Sequence, residues 1–133
     1  HGWSYGGFMT ISLMTNYPET FKVGVAGGPV IDWKWYEVMY GERYMDNPAE
    51  NAEGYESTSL IGKAARLKGK LLICQGAIDD TVVWEHSLSF IQKCIDLEIP
   101  VDYFPYPTAK HNVYGRNRIH LMDKVTAYFD DYL

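Results

Sequence analysis

A serine flanked by glycines, in the run Gly2-Trp3-Ser4-Tyr5-Gly6, constrains the fold more than any other feature of this sequence. The spacing is typical of a sharp turn between a β-strand and an α-helix, with the serine hydroxyl exposed above a sheet. Glycine suits both flanks because a Cβ there would collide with the neighbouring strand or helix. A helix is indicated after the turn by residues that recur at helical spacing before Pro18, namely Phe8, Ile11, Ser12 and Thr15.

The serine motif alone is weak evidence, because a glycine-rich turn that opens a helix gives the same pattern by chance. A nucleophilic serine also needs a histidine that accepts its proton and an acid that orients the histidine. In α/β folds with this turn, the acid and then the histidine follow the serine along the chain. The sequence offers both in that order, so we take Ser4, Asp79 and His111 as the candidate nucleophile, acid and base.

The acid and the histidine both follow apolar runs that predict buried parallel strands. Lys70–Cys74 leads into a polar loop that contains Asp79, and Val101–Tyr106 leads into a loop that contains His111. Open α/β sheets place their active sites just beyond the carboxyl ends of such strands. This placement favours the catalytic interpretation over ordinary loop polarity.

Other candidates for the same roles are weaker. Asp80 competes with Asp79, but adjacent side chains in a tight loop point in different directions, so only one would reach the histidine. His86 and His120 fall inside helical patterns, and we interpret both as surface or packing histidines. His1 precedes the serine turn and is interpreted as the end of a strand.

The order of elements predicts an α/β fold with a mostly parallel sheet flanked by helices. After the first helix we expect a strand at Phe21–Ala26 and an aromatic helix at Asp32–Tyr44. An irregular polar stretch at Asp46–Gly54 and a short helix at Ser59–Arg66 follow. A strand, a helix, a strand and a terminal helix complete the chain.

Four segments together resemble the prolyl oligopeptidase family of serine peptidases, in its dipeptidyl peptidase IV branch. They are the serine turn Gly2–Gly7, the aromatic segment Trp33–Tyr44, the acid loop Gly76–Asp80 and the histidine loop His111–Val113. The His-Asn-Val form of the last segment, and the segment Phe21–Trp33, are most similar to the bacterial prolyl tripeptidyl aminopeptidases. The resemblance covers essentially the whole chain and implies a partial α/β-hydrolase fold.

The resemblance also implies roles for further residues. The backbone N–H of Tyr5 is expected to be one donor of the oxyanion hole. A pocket for the proline ring is expected from Val30, Trp33, Tyr36, Tyr40 and Val82. Such a pocket is physically reasonable, because an aromatic box buries a compact apolar ring without a polar partner. Thr81 departs from the asparagine that is usual in dipeptidyl peptidases, which argues mildly against dipeptidyl specificity.

The resemblance further predicts that residues 1–133 are the C-terminal portion of a peptidase catalytic domain, with upstream strands and a β-propeller absent. It implies proline-containing peptides as substrates and a homodimer of the full-length protein. It also implies a location in the periplasm or cell envelope of a bacterium, or secretion. No cofactor and no metal site are implied.

Composition narrows the function classes. The formal net charge is −5 and the sequence has no basic run, which argues against a nucleic-acid partner. Three functions stay open at this point. The first is a tripeptidyl exopeptidase that cleaves after proline. The second is a dipeptidyl peptidase, acylaminoacyl peptidase or esterase with the same three catalytic residues. The third is an α/β module that is inert by itself.

Overall fold

A computed structural model describes residues 1–36, 45 and 47–133. Its strands form one sheet in the order β1-β2-β3-β4, and each neighbouring pair is parallel. The strands are β1 (Gly2–Trp3), β2 (Val23–Gly27), β3 (Lys70–Gly76) and β4 (Asp102–Tyr106). Sequence order and spatial order coincide, so each crossover joins adjacent strands.

Four α-helices are described: α1 (Tyr5–Asn16), α2 (Ala52–Thr58), α3 (Glu85–Asp96) and α4 (Gly115–Tyr132). Short 3₁₀ segments lie at Trp33–Trp35 and Ile61–Arg66. Among these described helices, none has the length and apolar character needed to cross a lipid bilayer. The predicted parallel sheet flanked by helices is confirmed.

Apolar side chains bury both faces of the sheet. Ile73 of β3 packs in one cluster with Ile11 of α1 and Phe90 of α3. The next residue, Cys74, lies on the opposite face in a second cluster with Leu121 and other residues of α4. Successive side chains of a strand alternate between faces, so a central strand with helices on both sides must be apolar throughout. This burial on both faces explains the continuous apolar run of β3 in the sequence.

Two predicted segments differ from the structure. The aromatic helix predicted at Asp32–Tyr44 is wrong at its start, because only Trp33–Trp35 forms a 3₁₀ turn and Tyr36 has extended backbone. The Asp32 side chain accepts a hydrogen bond from the Lys34 N–H and thereby caps this short turn. Residues 37–44, the rest of the predicted helix, lie outside the described residues.

The stretch predicted as irregular at Asp46–Gly54 contains the start of α2. Asn51 is the N-cap of this helix, and its side chain accepts a hydrogen bond from the Gly54 N–H at 3.1 Å. Asparagine is among the best N-cap residues because its side-chain oxygen satisfies a first-turn N–H. A polar composition alone did not reveal this helix.

Strand register brings the carboxyl ends of the strands to one edge of the sheet. Trp3 pairs with Gly27, Gly27 with Cys74, and Gly76 with Tyr106. The loops that follow these strands therefore begin side by side. Ser4 and the loops containing Asp79 and His111 all start from this edge, as the sequence predicted.

Gly76 offers a test of how tightly these loops are packed. A Cβ at Gly76 would lie 2.1 Å from the carbonyl oxygen of Lys110 and 2.3 Å from that of Ala109. We expect Gly76→Ala to lower the stability of the full-length protein by about 1–3 kcal/mol or more, because backbone must move to accommodate it. Thermal unfolding measures the loss. Gly62→Ala is the control, since a Cβ there meets nothing within 4 Å, and an equal effect of both variants would contradict this packing.

Candidate active site

Ser4 has a backbone conformation that L-residues rarely adopt, with φ 59° and ψ −115°. Its N–H donates to the Gly27 carbonyl at 2.7 Å, and its own carbonyl accepts from the Phe8 N–H at 3.1 Å. Such a conformation costs about 1–3 kcal/mol and persists only where the surroundings enforce it. The strain is that of the sharp strand-to-helix turn expected from the sequence. The collision expected at both flanking glycines is found at Gly2, where a Cβ would lie 2.2 Å from the Gly6 carbonyl oxygen. It is wrong for Gly6, where, among the residues described, a Cβ meets nothing within 4 Å outside its own helix.

His111 and Asp79 form a hydrogen-bonded pair, with Nδ1 and Oδ2 separated by 2.7 Å. The Asp79 side chain is fully buried, and that of His111 is 15% exposed. The other carboxylate oxygen of Asp79 accepts from the N–H groups of Thr81 and Val82, each at 2.9 Å. Burial alone would raise the pKa of Asp79, but the hydrogen bond from His111 and those from the backbone outweigh it. The net effect is a lowered pKa, so the carboxylate is ionised at neutral pH.

Two contacts place this pair beside the serine turn. The indole N–H of Trp3, the residue before Ser4, donates to the His111 carbonyl at 2.8 Å. Gly28, next to the Gly27 that binds Ser4, lies under the imidazole, since a Cβ there would be 3.1 Å from His111 Cε1. Gly28 has φ +46°, which favours glycine. The structure thus brings Ser4, Asp79 and His111 to one edge of the sheet.

Asp80, the weaker candidate for the acid, lines a cleft together with His111. Asp80 is exposed. His120 lies on α4, where its Nδ1 is 3.0 Å from the Tyr106 hydroxyl and its ring stacks on Phe104. His86 is fully buried in α3. His1 is exposed and directly precedes β1.

The residues expected around a proline ring are largely adjacent. Val30 and Val82 are buried in one cluster with Trp33, and Tyr36 packs against that cluster. Ring centroids are 5.4 Å apart for Trp33 and Tyr36 and 5.9 Å apart for Trp33 and Tyr5. These separations are typical of interacting aromatic pairs. Tyr40 lies outside the described residues.

Tyr5 is the first residue of α1 and follows Ser4 directly. The N–H groups in the first turn of a helix have no intrahelical acceptor, and the helix dipole favours negative charge there. The backbone at this position can therefore donate to an oxygen that gains negative charge. This agrees with the oxyanion role expected for Tyr5.

Sequence reasoning missed a buried polar group behind the site. Gln75 donates to the Val82 carbonyl at 2.6 Å and accepts a hydrogen bond from the Ser87 hydroxyl. The signal for Gln75 in the sequence is a glutamine at the end of an apolar strand, which is unusual unless the side chain is hydrogen-bonded within the protein.

A buried histidine lies close to this group along the chain. Nδ1 of His86 accepts from the N–H groups of Ile31 and Asp32.

Comparison with known proteins decides the family. The profile of the prolyl oligopeptidase family matches residues 1–133. The chain belongs to the prolyl oligopeptidase family.

Solved structures of family members match closely. A Bacteroides ovatus protein provisionally classed as a dipeptidyl aminopeptidase IV is 58% identical, with a TM-score of 0.98 over 100% of this chain. Porphyromonas gingivalis dipeptidyl peptidase 4 is 38% identical, with a TM-score of 0.96 over 99% of this chain. The resemblance to the dipeptidyl peptidase IV branch and the partial α/β-hydrolase fold are thereby confirmed.

A curated relative agrees with the structures. A provisionally named dipeptidyl-aminopeptidase B from Aspergillus oryzae is 40% identical over 119 residues, or 87% of this chain. The chain spans 13% of that relative and 19% of each of the two solved structures.

His86 gives a pH prediction for this buried region. Burial lowers the pKa of His86 from 6.5 to about 4, against the opposing charges of Asp32, Asp79 and Glu85. The unfolded chain then binds more protons than the folded chain between these values, so the stabilising contribution is complete above pH 6.5 and is lost as the pH falls toward 4. The largest change in the free energy of unfolding that this titration can cause is about 3 kcal/mol.

We expect the apparent unfolding temperature of the full-length protein to fall more steeply between pH 7 and pH 4.5 than that of His86→Asn. The variant has no imidazole to titrate but keeps the other acidic and basic groups. Thermal scans at matched ionic strength measure the difference. Parallel curves for the two proteins would contradict the assignment of a strongly lowered pKa to His86.

Proposed function

We propose that this chain supplies the catalytic residues of a serine peptidase that cleaves peptides after proline. The observation that carries the proposal is the Asp79–His111 pair beside the strained backbone of Ser4. The conformation of Ser4, the buried carboxylate and the Trp3–His111 hydrogen bond support a nucleophile, base and acid at one edge of the sheet. A structural role alone would not need a strained serine next to a paired histidine.

The hydrogen bond between His111 and Asp79 determines which ring nitrogen of His111 can act as the base. Nδ1 of His111 is bonded to Asp79, so Nε2 is the nitrogen that accepts the Ser4 hydroxyl proton. Ser4 Oγ bonds to the carbonyl carbon of the proline residue, and the N–H of Tyr5 donates to the carbonyl oxygen, which becomes negative. His111 then gives its proton to the departing amine. Water then releases the acyl group: His111 takes a proton from the water, the water oxygen attacks the ester carbonyl carbon, and His111 returns the proton to Ser4 Oγ as the ester bond breaks. Asp79 stabilises the imidazolium in both halves of the reaction.

The aromatic and aliphatic cluster beside Ser4 fits a proline ring. Val30 and Val82 are buried in one apolar cluster with Trp33. Tyr36 and Tyr5 each place an aromatic ring against Trp33. We assign Tyr40 to the same pocket from the family resemblance. A compact ring without hydrogen-bond donors is bound in such a site by burial and shape, which favours proline over longer or polar side chains.

Aspartate replacement tests the assignment of the acid. We expect Asp79→Asn in the full-length protein to lower kcat by about 10³–10⁴-fold, because an amide does not hold His111 in the required tautomer or stabilise its charge. Ser4→Ala should abolish acyl-enzyme formation. The matched control is Asp80→Asn, which alters the exposed neighbour and should leave kcat within about twofold. If both asparagine variants behave alike, Asp79 is not the orienting acid.

Reporter peptides test the length specificity. The His111-Asn112-Val113 sequence and Thr81 support a tripeptidyl enzyme, for which we expect cleavage of Ala-Ala-Pro-reporter with Gly-Pro-reporter left intact. The names of the relatives favour the dipeptidyl alternative, and cleavage of Gly-Pro-reporter with Ala-Ala-Pro-reporter left intact would establish it in place of tripeptidyl specificity. Cleavage of an acetyl-amino-acid reporter alone would favour an acylaminoacyl peptidase. Cleavage of a simple ester alone would favour an esterase. An unreactive full-length protein would favour an inert module.

The predicted homodimer and the envelope location belong to the same proposal. Sedimentation of the full-length protein and fractionation of the source bacterium measure them. A monomer, or a protein confined to the cytoplasm, would contradict these two predictions without affecting the assignment of the catalytic residues.

A further inference from the structure

A single buried imidazole connects the two loops that form the walls of the proposed pocket. Nδ1 of His86 lies 2.9 Å from the N–H nitrogen of Ile31 and 3.3 Å from that of Asp32. These two residues are the ones between Val30 and Trp33 in the chain. The segment that carries Val30 and Trp33, two residues assigned to the pocket, is therefore held in position by this imidazole.

The hydrogen bonds fix which nitrogen of His86 is protonated. Two N–H donors can bind only the lone pair of an unprotonated nitrogen, so Nδ1 is the acceptor and Nε2 carries the proton. Burial lowers the pKa of His86 to about 4, so this neutral form is the one present near pH 7. The ring meets Trp35 edge-on at 5.6 Å between centroids, which holds its plane in place.

The other polar groups of the Ile31–Asp32 segment are already satisfied. The Ile31 carbonyl accepts from the Leu60 N–H at 2.9 Å. The Asp32 carboxylate accepts from the Ser59 hydroxyl and from the Lys34 N–H, each at 3.1 Å. The two N–H groups are what remain, and they depend on His86. A buried N–H that loses its acceptor is strongly penalised, so the segment would move to find another partner.

The opposite end of the connection is hydrogen-bonded to β3. His86 lies in the first turn of α3, four residues after Val82, a buried residue that we assign to the same pocket. The Val82 carbonyl accepts from Gln75 of β3, and Gln75 in turn accepts from Ser87. The start of α3, which carries the imidazole, is thus hydrogen-bonded to β3 through Ser87, and the imidazole connects it to the segment between Val30 and Trp33.

We propose that His86 is a positioning residue for the proline pocket, which it shapes by holding the Ile31–Asp32 backbone at a fixed distance from Val82. The proposal rests on the proposed function, since it assigns His86 to the specificity of that site. It predicts that His86 determines how strongly the enzyme prefers proline over a smaller residue before the scissile bond. A positioning role leaves the reacting atoms of Ser4 and His111 untouched.

The test compares two variants of almost equal shape. His86→Asn keeps an acceptor, because Asn Oδ1 occupies the place of Nδ1, whereas His86→Leu puts a methyl group there. Both remove the same distal ring atoms and leave a similar cavity. We expect His86→Leu in the full-length protein to lower the ratio of kcat/KM for Ala-Ala-Pro-reporter over Ala-Ala-Ala-reporter by about tenfold. His86→Asn should keep this ratio within about threefold of the wild type.

Two kinetic results would overturn the proposal. One is an equal loss in both variants, which would assign the effect to the cavity. The other is an equal fall of kcat/KM for both reporters in His86→Leu, which would indicate general destabilisation. If Gly-Pro-reporter proves to be the substrate, the matched pair is Gly-Pro-reporter and Gly-Ala-reporter, with the same expected ratios.

Hydrogen–deuterium exchange separates this proposal from the proposed function. Exchange in the peptide that contains Ile31 and Asp32 should rise in His86→Leu and stay near wild type in His86→Asn. If the wild type cleaves no reporter, the proposed function fails, and the exchange result still decides whether His86 holds this segment. Unchanged exchange in His86→Leu would overturn the positioning role whatever the activity.

Discussion

Ser4 is held at φ 59° and ψ −115° because its N–H is bonded to Gly27 and its carbonyl to the Phe8 N–H. Gly27 belongs to β2 and Phe8 to α1, so the strained residue is fixed by both of the elements that pack around it. The parallel register of the sheet supplies the rest of the site at the same edge. Loss of that register would move the loops of Asp79 and His111 away from Ser4. The strained serine would then have no base beside it.

Much of this arrangement could be predicted from the sequence. The serine turn, the apolar runs of β3 and β4, and the polar loops that follow them were enough to propose Ser4, His111 and an acid in the loop of Asp79 and Asp80. The rule that parallel strands share a carboxyl edge then predicted that the three would lie together. Asp79 rather than Asp80 needed the structure for its contact with His111, because sequence cannot give the direction of adjacent side chains.

The sequence failed where a polar residue is buried. The helical pattern in which His86 falls consists of Trp84, Leu88, Ile91 and Ile95. Leu88 and Ile95 are nevertheless exposed, while His86 and Ser87 are fully buried. Both polar side chains gain hydrogen bonds in the core, Nδ1 of His86 from two backbone N–H groups and the Ser87 hydroxyl with Gln75. Nε2 of His86 is buried without a hydrogen-bond partner in the part of the chain that the structure describes. Hydrophobic periodicity does not register such satisfaction, which is a property of the tertiary structure.

The most direct test of this account is labelling of the full-length protein with a fluorophosphonate, followed by peptide mapping. The account predicts one phosphonyl adduct on the peptide that contains Ser4, formed at a rate that falls steeply when His111 is replaced by alanine. Only a serine whose proton is taken by a nearby base reacts in this way at neutral pH. An adduct at another residue, or labelling of Ser4 that does not depend on His111, would contradict it.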